Sequence, residues 1–150
     1  MTKLVKSIII LVVISILSSC STKEEKVLVF SKTAGYRHGS IETGIGVVKK
    51  IGSENGFIVD ATEDASFFTE ENLKQYSTIV FLNTTNDVLN AVQQAEMERY
   101  IQAGGGFVGI HAATDTEYQW PWYNKLVGAY FKSHPRVQDA TLHVIDKDHL

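Results

Sequence analysis

Short apolar runs alternate with segments of helical periodicity along most of the chain. Four runs without polar alternation predict buried strands, and they lie at residues 27–30, 57–59, 78–82 and 107–110. Apolar residues between these runs recur at the spacing of one helix face, as Ile41, Ile45, Val48 and Ile51 do. Strands that alternate with helices predict an α/β fold, a doubly wound parallel sheet with right-handed crossovers.

Capping residues indicate where these helices begin and end. Ser40 stands where it can cap the first helix, and Gly56 stands where a glycine would end it. The pair Thr69-Glu70 predicts the start of a short second helix. Asn90 predicts the start of a longer one, which the glycines at 104–106 stop.

The C-terminal third follows the same pattern less regularly. Residues 120–131 are rich in aromatic side chains and predict a helix, and residues 137–146 predict a further, more polar strand near the sheet edge. The sequence then stops at Leu150 with no covering helix after that strand. We therefore expect a domain that is incomplete at its C-terminus.

The first twenty residues have a different character. Lys3 and Lys6 precede an apolar run that is too short to span a bilayer, which is typical of a secretory signal over residues 1–19. The run ends in Leu-Ser-Ser-Cys, which resembles the lipobox of bacterial lipoproteins; the alternative is that Cys20 is a buried core thiol. We expect Cys20 to be lipidated and residues 20–26 to form a tether to a domain over 27–150. The protein would then be exported and lipid-anchored at the cell membrane or outer membrane.

Composition restricts the function further. The 150 residues are 44% hydrophobic and 21% charged, which is ordinary for one globular domain. Cys20 is the only cysteine, so its acylation would exclude disulfides, thiolate zinc sites and a cysteine nucleophile. Removal of the signal leaves 12 basic residues against 17 acidic ones, a net charge of −5 that argues against nucleic acid as a partner.

Candidate chemistry collects at one edge of the predicted sheet. Ligands of open parallel sheets bind beyond the carboxyl ends of the strands. The first and fourth strands deliver Arg37, His38, His111 and Asp115 to that edge. His111 follows an apolar strand among small residues, so its imidazole would stand at a tight strand-to-helix turn as a general base, nucleophile or metal ligand.

Several alternatives stay open at this stage. His38 precedes a helix N-terminus, where an anion would be favoured, but an ordinary loop histidine has the same pattern. A divalent metal would have to be held by distant loops, for example by His38, His111 and His134. Trp120 and Trp122 could stack on a sugar or pack in a core. No P-loop lysine and no Gly-x-Ser-x-Gly elbow occurs.

Two blocks of sequence, residues 30–41 and 105–115, resemble the ThuA-like (trehalose utilisation) family. The resemblance implies a flavodoxin-like sheet of the class I glutamine amidotransferase type. Aligned on Gly109, the chain has His111 where the amidotransferases have their cysteine, and Ala113 where they have a second glycine. Glutamine amidotransferase activity is therefore not expected.

The same resemblance implies catabolism of sugars, in particular of trehalose-like disaccharides and their keto forms. It assigns His111 and His38 as the reacting or ligating pair, with Asp115 orienting an imidazole. Five further residues would make polar or stacking contacts to the substrate: Tyr36, Arg37, Thr114, Trp120 and Trp122. Three functions remain open: a sugar hydrolase, lyase or isomerase, a non-catalytic module that binds a carbohydrate or a partner, and an inactive fragment. The oligomeric state also remains open.

Overall fold

The computed structural model describes residues 24–148, and four parallel strands form its centre. The strands are β1 (Lys26–Phe30), β2 (Ile58–Thr62), β3 (Thr78–Leu82) and β4 (Gly106–Ile110). Their order across the sheet is β2-β1-β3-β4. Helices lie between them, as the alternation of apolar runs and helical periodicity predicts, and the architecture is consistent with a flavodoxin-like fold. The predicted signal over residues 1–19 and the predicted lipidation site Cys20 lie outside the described residues.

Four α-helices accompany the sheet in the described part of the chain. They are α1 (Ile41–Asn55), the single turn α2 (Glu70–Leu73), α3 (Ala91–Gln102) and α4 (Pro121–Val127). None of them is long and apolar enough to cross a membrane.

The helix ends show which capping predictions hold. Asn90 caps α3 in a full capping box. Its side chain accepts from the N–H groups of Val92 and Gln93, and Gln93 Oε1 accepts in return from the backbone N–H of Asn90. Thr69 caps α2, and Gly56 ends α1 in the left-handed conformation, at φ +78°. Ser40 occupies the predicted N-cap position, but its hydroxyl accepts from Asn83 Nδ2 at 3.0 Å and bonds no helix N–H.

The predicted strand over 137–146 is wrong. These residues form neither helix nor strand, and Val137, Leu142 and Ile145 are almost fully exposed. An alternating apolar pattern forms a strand only where a neighbouring strand edge supplies the ladder hydrogen bonds. Residues 137–146 pair with no strand among those described.

The sheet is buried unequally on its two faces. The larger core lies where α2, α3 and α4 pack, around Phe30, Phe68, Phe81 and Tyr123. The other face carries a small cluster of Val29, Val80 and Leu82 beneath α1. The carboxyl edge of the strands, from which the loops after β1, β3 and β4 emerge, lies between these two layers.

Candidate functional site

Two loops bring His38 and His111 together at the carboxyl edge of the sheet. His38 lies in the β1–α1 loop, where its backbone carbonyl accepts from Ile41 N–H at the start of the helix. His111 directly follows β4 and opens a 3₁₀ helix over His111–Asp115. The two imidazole rings have their centroids 4.7 Å apart, with 58° between their planes.

The backbone at His111 makes the tight turn from strand to helix that the sequence predicts. Its φ is +53°, which is uncommon for a residue with a side chain. A Cβ on Gly109 would lie 3.2 Å from the Ala113 methyl group, so the glycine and the small residue permit the tight passage from strand to helix. Strained residues persist only where the surrounding structure holds them in place, and they are most common at functional sites.

His38 has an incompletely satisfied ring. Its Nδ1 is buried and has no hydrogen-bond partner among the described residues. The Tyr36 ring packs edge-on against this imidazole, with centroids 4.9 Å apart. Buried polar atoms are rarely left without a partner, so His38 has hydrogen-bonding capacity left for a ligand or an ordered water.

A cavity of about 380 Å³ opens onto this histidine pair. That volume lies in the range of small-molecule sites. Its lining is mostly aromatic and imidazole side chains with a few polar groups: Tyr36, His38, His111, Ala112, Thr114, Asp115, Phe131 and His134. Six of the residues named from the sequence thus line one cavity, and Phe131 is an addition that no motif or spacing indicated.

Asp115 has a different partner from the one expected. Its carboxylate accepts a hydrogen bond from the Tyr118 hydroxyl, whereas the family resemblance implied that it would orient an imidazole. The same hydroxyl lies 3.0 Å from the Phe131 carbonyl. Burial and the bond to Asp115 raise the pKa of Tyr118 to about 12. Tyr118 therefore connects Asp115 to Phe131, and both of these residues line the cavity.

Thr114 supports the same wall from the backbone. Its carbonyl accepts from Phe131 N–H at 2.8 Å, and its hydroxyl donates to the His111 carbonyl at 3.3 Å. The 3₁₀ segment that carries His111 is thereby joined to the segment that carries Phe131.

Arg37 does not line the cavity. Its guanidinium pairs with Glu63 at 2.7 Å and with Glu42 at 3.0 Å, and the hydrogen bond and charge of Glu63 raise the pKa of Arg37 further. These two carboxylates direct the arginine to the outer surface, so the structure does not bring it to the histidine pair.

Trp120 and Trp122 also lie away from the cavity lining. Trp120 is buried, stacks on Trp122 and Tyr123, and donates from Nε1 to Glu98 Oε1 at 2.9 Å. Trp122 packs against the same core. Of the two alternatives that the sequence left open, this placement favours core packing.

The candidate metal ligands are only partly assembled. His134 lines the cavity, and its Nδ1 lies 3.1 Å from the Pro135 carbonyl oxygen. Within residues 24–148, no three His, Cys, Asp or Glu side chains are grouped so that they could hold a metal ion.

Known proteins give this arrangement a family. A ThuA-like protein from Bacteroides uniformis ATCC 8492, known from a crystal structure, is 30% identical and superposes with a TM-score of 0.59. The match covers 74% of this chain and 47% of that protein, so the chain spans about half the length of that relative. Comparison with curated proteins finds no match. The family model ThuA, described as trehalose utilisation, matches residues 26–150, and the chain belongs to the ThuA family.

Proposed function

We propose that this ThuA domain acts on a sugar, of the trehalose-like or keto-disaccharide class, in the cavity that His38 and His111 share. The observation that carries the proposal is the contact of the two imidazoles, with their centroids 4.7 Å apart, at the strained end of a strand. Membership of a family described by trehalose utilisation supports the substrate class.

The histidine pair suits proton transfer. Imidazole is the side chain whose ordinary pKa lies nearest the physiological range, and a neutral ring both donates and accepts. Two rings in contact allow one to take a proton from a sugar hydroxyl or C–H group while the other returns a proton elsewhere on the ligand. Such a pair serves a hydrolase, lyase or isomerase. It does not serve glutamine amidotransfer, because His111 stands in place of the thiol nucleophile.

The aromatic rim supports a sugar as the ligand. Tyr36 is 72% exposed and Phe131 is 39% exposed, and both line the cavity. Aromatic faces at a cavity mouth pack against the C–H faces of sugar rings, and a tyrosine hydroxyl can also bond sugar hydroxyls. This role replaces the one that the sequence suggested for the two tryptophans.

Ligand-dependent thermal melting tests the proposal. Trehalose, other disaccharides and keto-sugars are added to the purified protein, and a ligand at a hundredfold excess over its Kd stabilises the folded state by about 2.7 kcal/mol. We expect a disaccharide or keto-sugar to raise the melting midpoint of the wild type and of His143→Ala, in which an exposed histidine outside the cavity lining is removed. The same ligand should leave the melting midpoint of His111→Ala unchanged. An equal rise in all three proteins would place the ligand elsewhere and contradict the proposal.

Turnover distinguishes an enzyme from a binding module. General acid–base catalysis by one side chain contributes roughly 10²- to 10⁴-fold to the rate. We expect His111→Ala to lower kcat/KM on the identified sugar by at least about 10²-fold. Binding that depends on His111 without any conversion of the sugar would instead indicate a carbohydrate-binding module.

We also propose that the domain is held at a membrane by acylated Cys20. The motif Leu-Ser-Ser-Cys after a charged and apolar leader supports this, because it has the order of a lipoprotein signal. Metabolic labelling with a fatty-acid analogue should mark the wild type and not Cys20→Ser. Recovery of both proteins in the same membrane fraction, with no label on either, would contradict lipid anchoring through Cys20.

A further inference from the structure

Two residues of the sugar cavity come from the part of the chain after α4. Gly128 ends that helix in the left-handed conformation, at φ +89°, and its N–H donates to the Asn124 carbonyl at 2.9 Å. The chain then returns to the carboxyl edge of the sheet, where Phe131 and His134 line the cavity together with His111. Part of the cavity wall is therefore formed by residues that belong to no helix or strand.

Hydrogen bonds fix this returning segment as far as Phe131. The Tyr130 hydroxyl donates to the Glu117 carbonyl at 2.6 Å. Phe131 N–H donates to the Thr114 carbonyl at 2.8 Å, and the Phe131 carbonyl accepts from the Tyr118 hydroxyl at 3.0 Å. The backbone up to Phe131 is thus attached to the loop that carries His111.

The next five residues, 132–136, lack such contacts, and we call them the strap. All five are exposed. Their one hydrogen bond within the described part of the chain places His134 Nδ1 3.1 Å from the carbonyl oxygen of its neighbour Pro135. The His134 ring also lies near the Phe131 ring, with centroids 6.0 Å apart. Segments with few buried contacts open at the lowest cost in free energy, so the strap can move while Phe131 stays in place.

The His134 ring has a nitrogen available for a ligand. Its Nε2 makes no hydrogen bond within residues 24–148, and the ring lines the cavity. In a neutral imidazole this nitrogen either donates to a sugar hydroxyl or accepts from one. Closure of a loop over a bound ligand also excludes water, which strengthens the polar contacts inside the site.

These observations extend the proposed function and rest on it. We propose that His134 is a sugar-binding residue and that the strap closes over the disaccharide in the cavity. In the closed state His134 Nε2 hydrogen-bonds a sugar hydroxyl, while the Phe131 ring packs against the sugar. The pair His38 and His111 keeps its role in proton transfer, and His134 contributes to the affinity.

Limited digestion with trypsin, with and without sugar, tests the strap. Trypsin cleaves after Lys132 and Arg136, which are exposed and lie on either side of His134. Lys147, which is exposed and lies outside the cavity lining, is an internal control. The sugars are trehalose and the keto-disaccharide formed by oxidation of one of its ring hydroxyls. One hydrogen bond changes an equilibrium about fivefold, so saturating sugar should slow cleavage after Lys132 and Arg136 about fivefold and leave cleavage after Lys147 unchanged.

Two matched histidine variants test the contact of His134 with the sugar. His134→Ala should weaken binding of the sugar about fivefold in titration calorimetry and remove the protection of Lys132 and Arg136 from trypsin. His143→Ala removes an exposed histidine of the same C-terminal segment, outside the cavity lining, and should behave as the wild type. Both histidines are exposed, so both variants should keep the wild-type fold.

Each contrary result has a distinct meaning. A sugar that raises the melting midpoint but leaves cleavage after Lys132 and Arg136 unchanged overturns the strap and leaves the proposed function intact. Equal slowing after Lys147 also overturns the strap, because the protection is then not local. Full affinity and full protection in His134→Ala overturn the role of His134. If neither sugar raises the melting midpoint or slows cleavage, the proposed function fails together with this extension.

Discussion

Glu117 carries the sharpest stability prediction, because its carboxylate is buried and bonds three donors. Glu117 is 1% exposed; its Oε1 accepts from Val88 N–H at 2.9 Å and Leu89 N–H at 2.7 Å, and its Oε2 accepts from Gln94 Nε2 at 2.7 Å. Its backbone carbonyl accepts from the Tyr130 hydroxyl at 2.6 Å. One residue thus joins the loop after the site to the start of α3.

Truncation of this side chain would leave buried donors unpaired. In Glu117→Ala, the N–H groups of Val88 and Leu89 lose their acceptor in a region that water does not reach, at roughly 1–3 kcal/mol each. The half-buried Gln94 amide can turn to solvent. We therefore expect a loss of about 4 kcal/mol in the free energy of unfolding, near the upper end of single substitutions.

Two further variants separate this cause from a general loss of charge. Glu117→Gln keeps an oxygen for both backbone donors. The Gln94 amide must reverse and give up its 3.4 Å bond to the Leu89 carbonyl, so the substitution should cost about 1 kcal/mol. Glu54→Ala removes an exposed carboxylate of α1 and should change stability by less than about 0.5 kcal/mol. Urea unfolding followed by circular dichroism measures all three. A cost for Glu117→Ala as small as that for Glu54→Ala would refute the role assigned to the buried carboxylate.

Three other expectations follow from the same contacts. Burial raises the pKa of Glu117 above its ordinary 4.5, so its stabilising contribution is complete below pH 4.5 and is lost as the pH rises through the folded-state value. The wild type should therefore lose stability relative to Glu117→Gln as the pH rises above 4.5, and a constant difference in urea unfolding would contradict this. Tyr123→Phe removes the 2.8 Å bond to the buried Ala113 carbonyl and should cost about 1–2 kcal/mol in the same assay; no change would mean that this bond contributes nothing. His111→Gly should be about 1 kcal/mol more stable than His111→Ala, because glycine adopts the positive φ without strain; equal melting midpoints would argue against strain at this position.

The local sequence pattern was sufficient to predict most of the strands and, in full detail, the start of α3. The run Thr78–Leu82 is β3 without a change of boundary, since a strand buried in the middle of a parallel sheet must be apolar at each position. Asn90 begins α3 as predicted because a capping box depends only on nearby residues. By contrast, β2 begins one residue later than predicted and extends to Thr62 through the polar Asp60, which bonds the Tyr76 hydroxyl at 2.8 Å.

The parts that local pattern missed depend on distant partners. Residues 137–146 have the alternation of a strand, but a strand also needs an edge to pair with. Arg37 stands beside His38 in the sequence, yet Glu63 draws its guanidinium outwards. Asp115 bonds Tyr118, and the exposure of Phe131 at the cavity mouth follows from the course of the chain after α4. Topology alone predicted that His38 and His111 would share one edge, because the ends of parallel strands meet there.

The central claim is that a sugar contacts both imidazoles of the cavity. Side-chain NMR of histidine, recorded while the sugar that raises the melting midpoint is titrated in, tests this contact directly. We expect the ring signals of His38 and His111 to shift together with one saturation curve, while those of the exposed His143 stay in place. Saturable binding that leaves the signals of His38 and His111 unmoved would contradict the account.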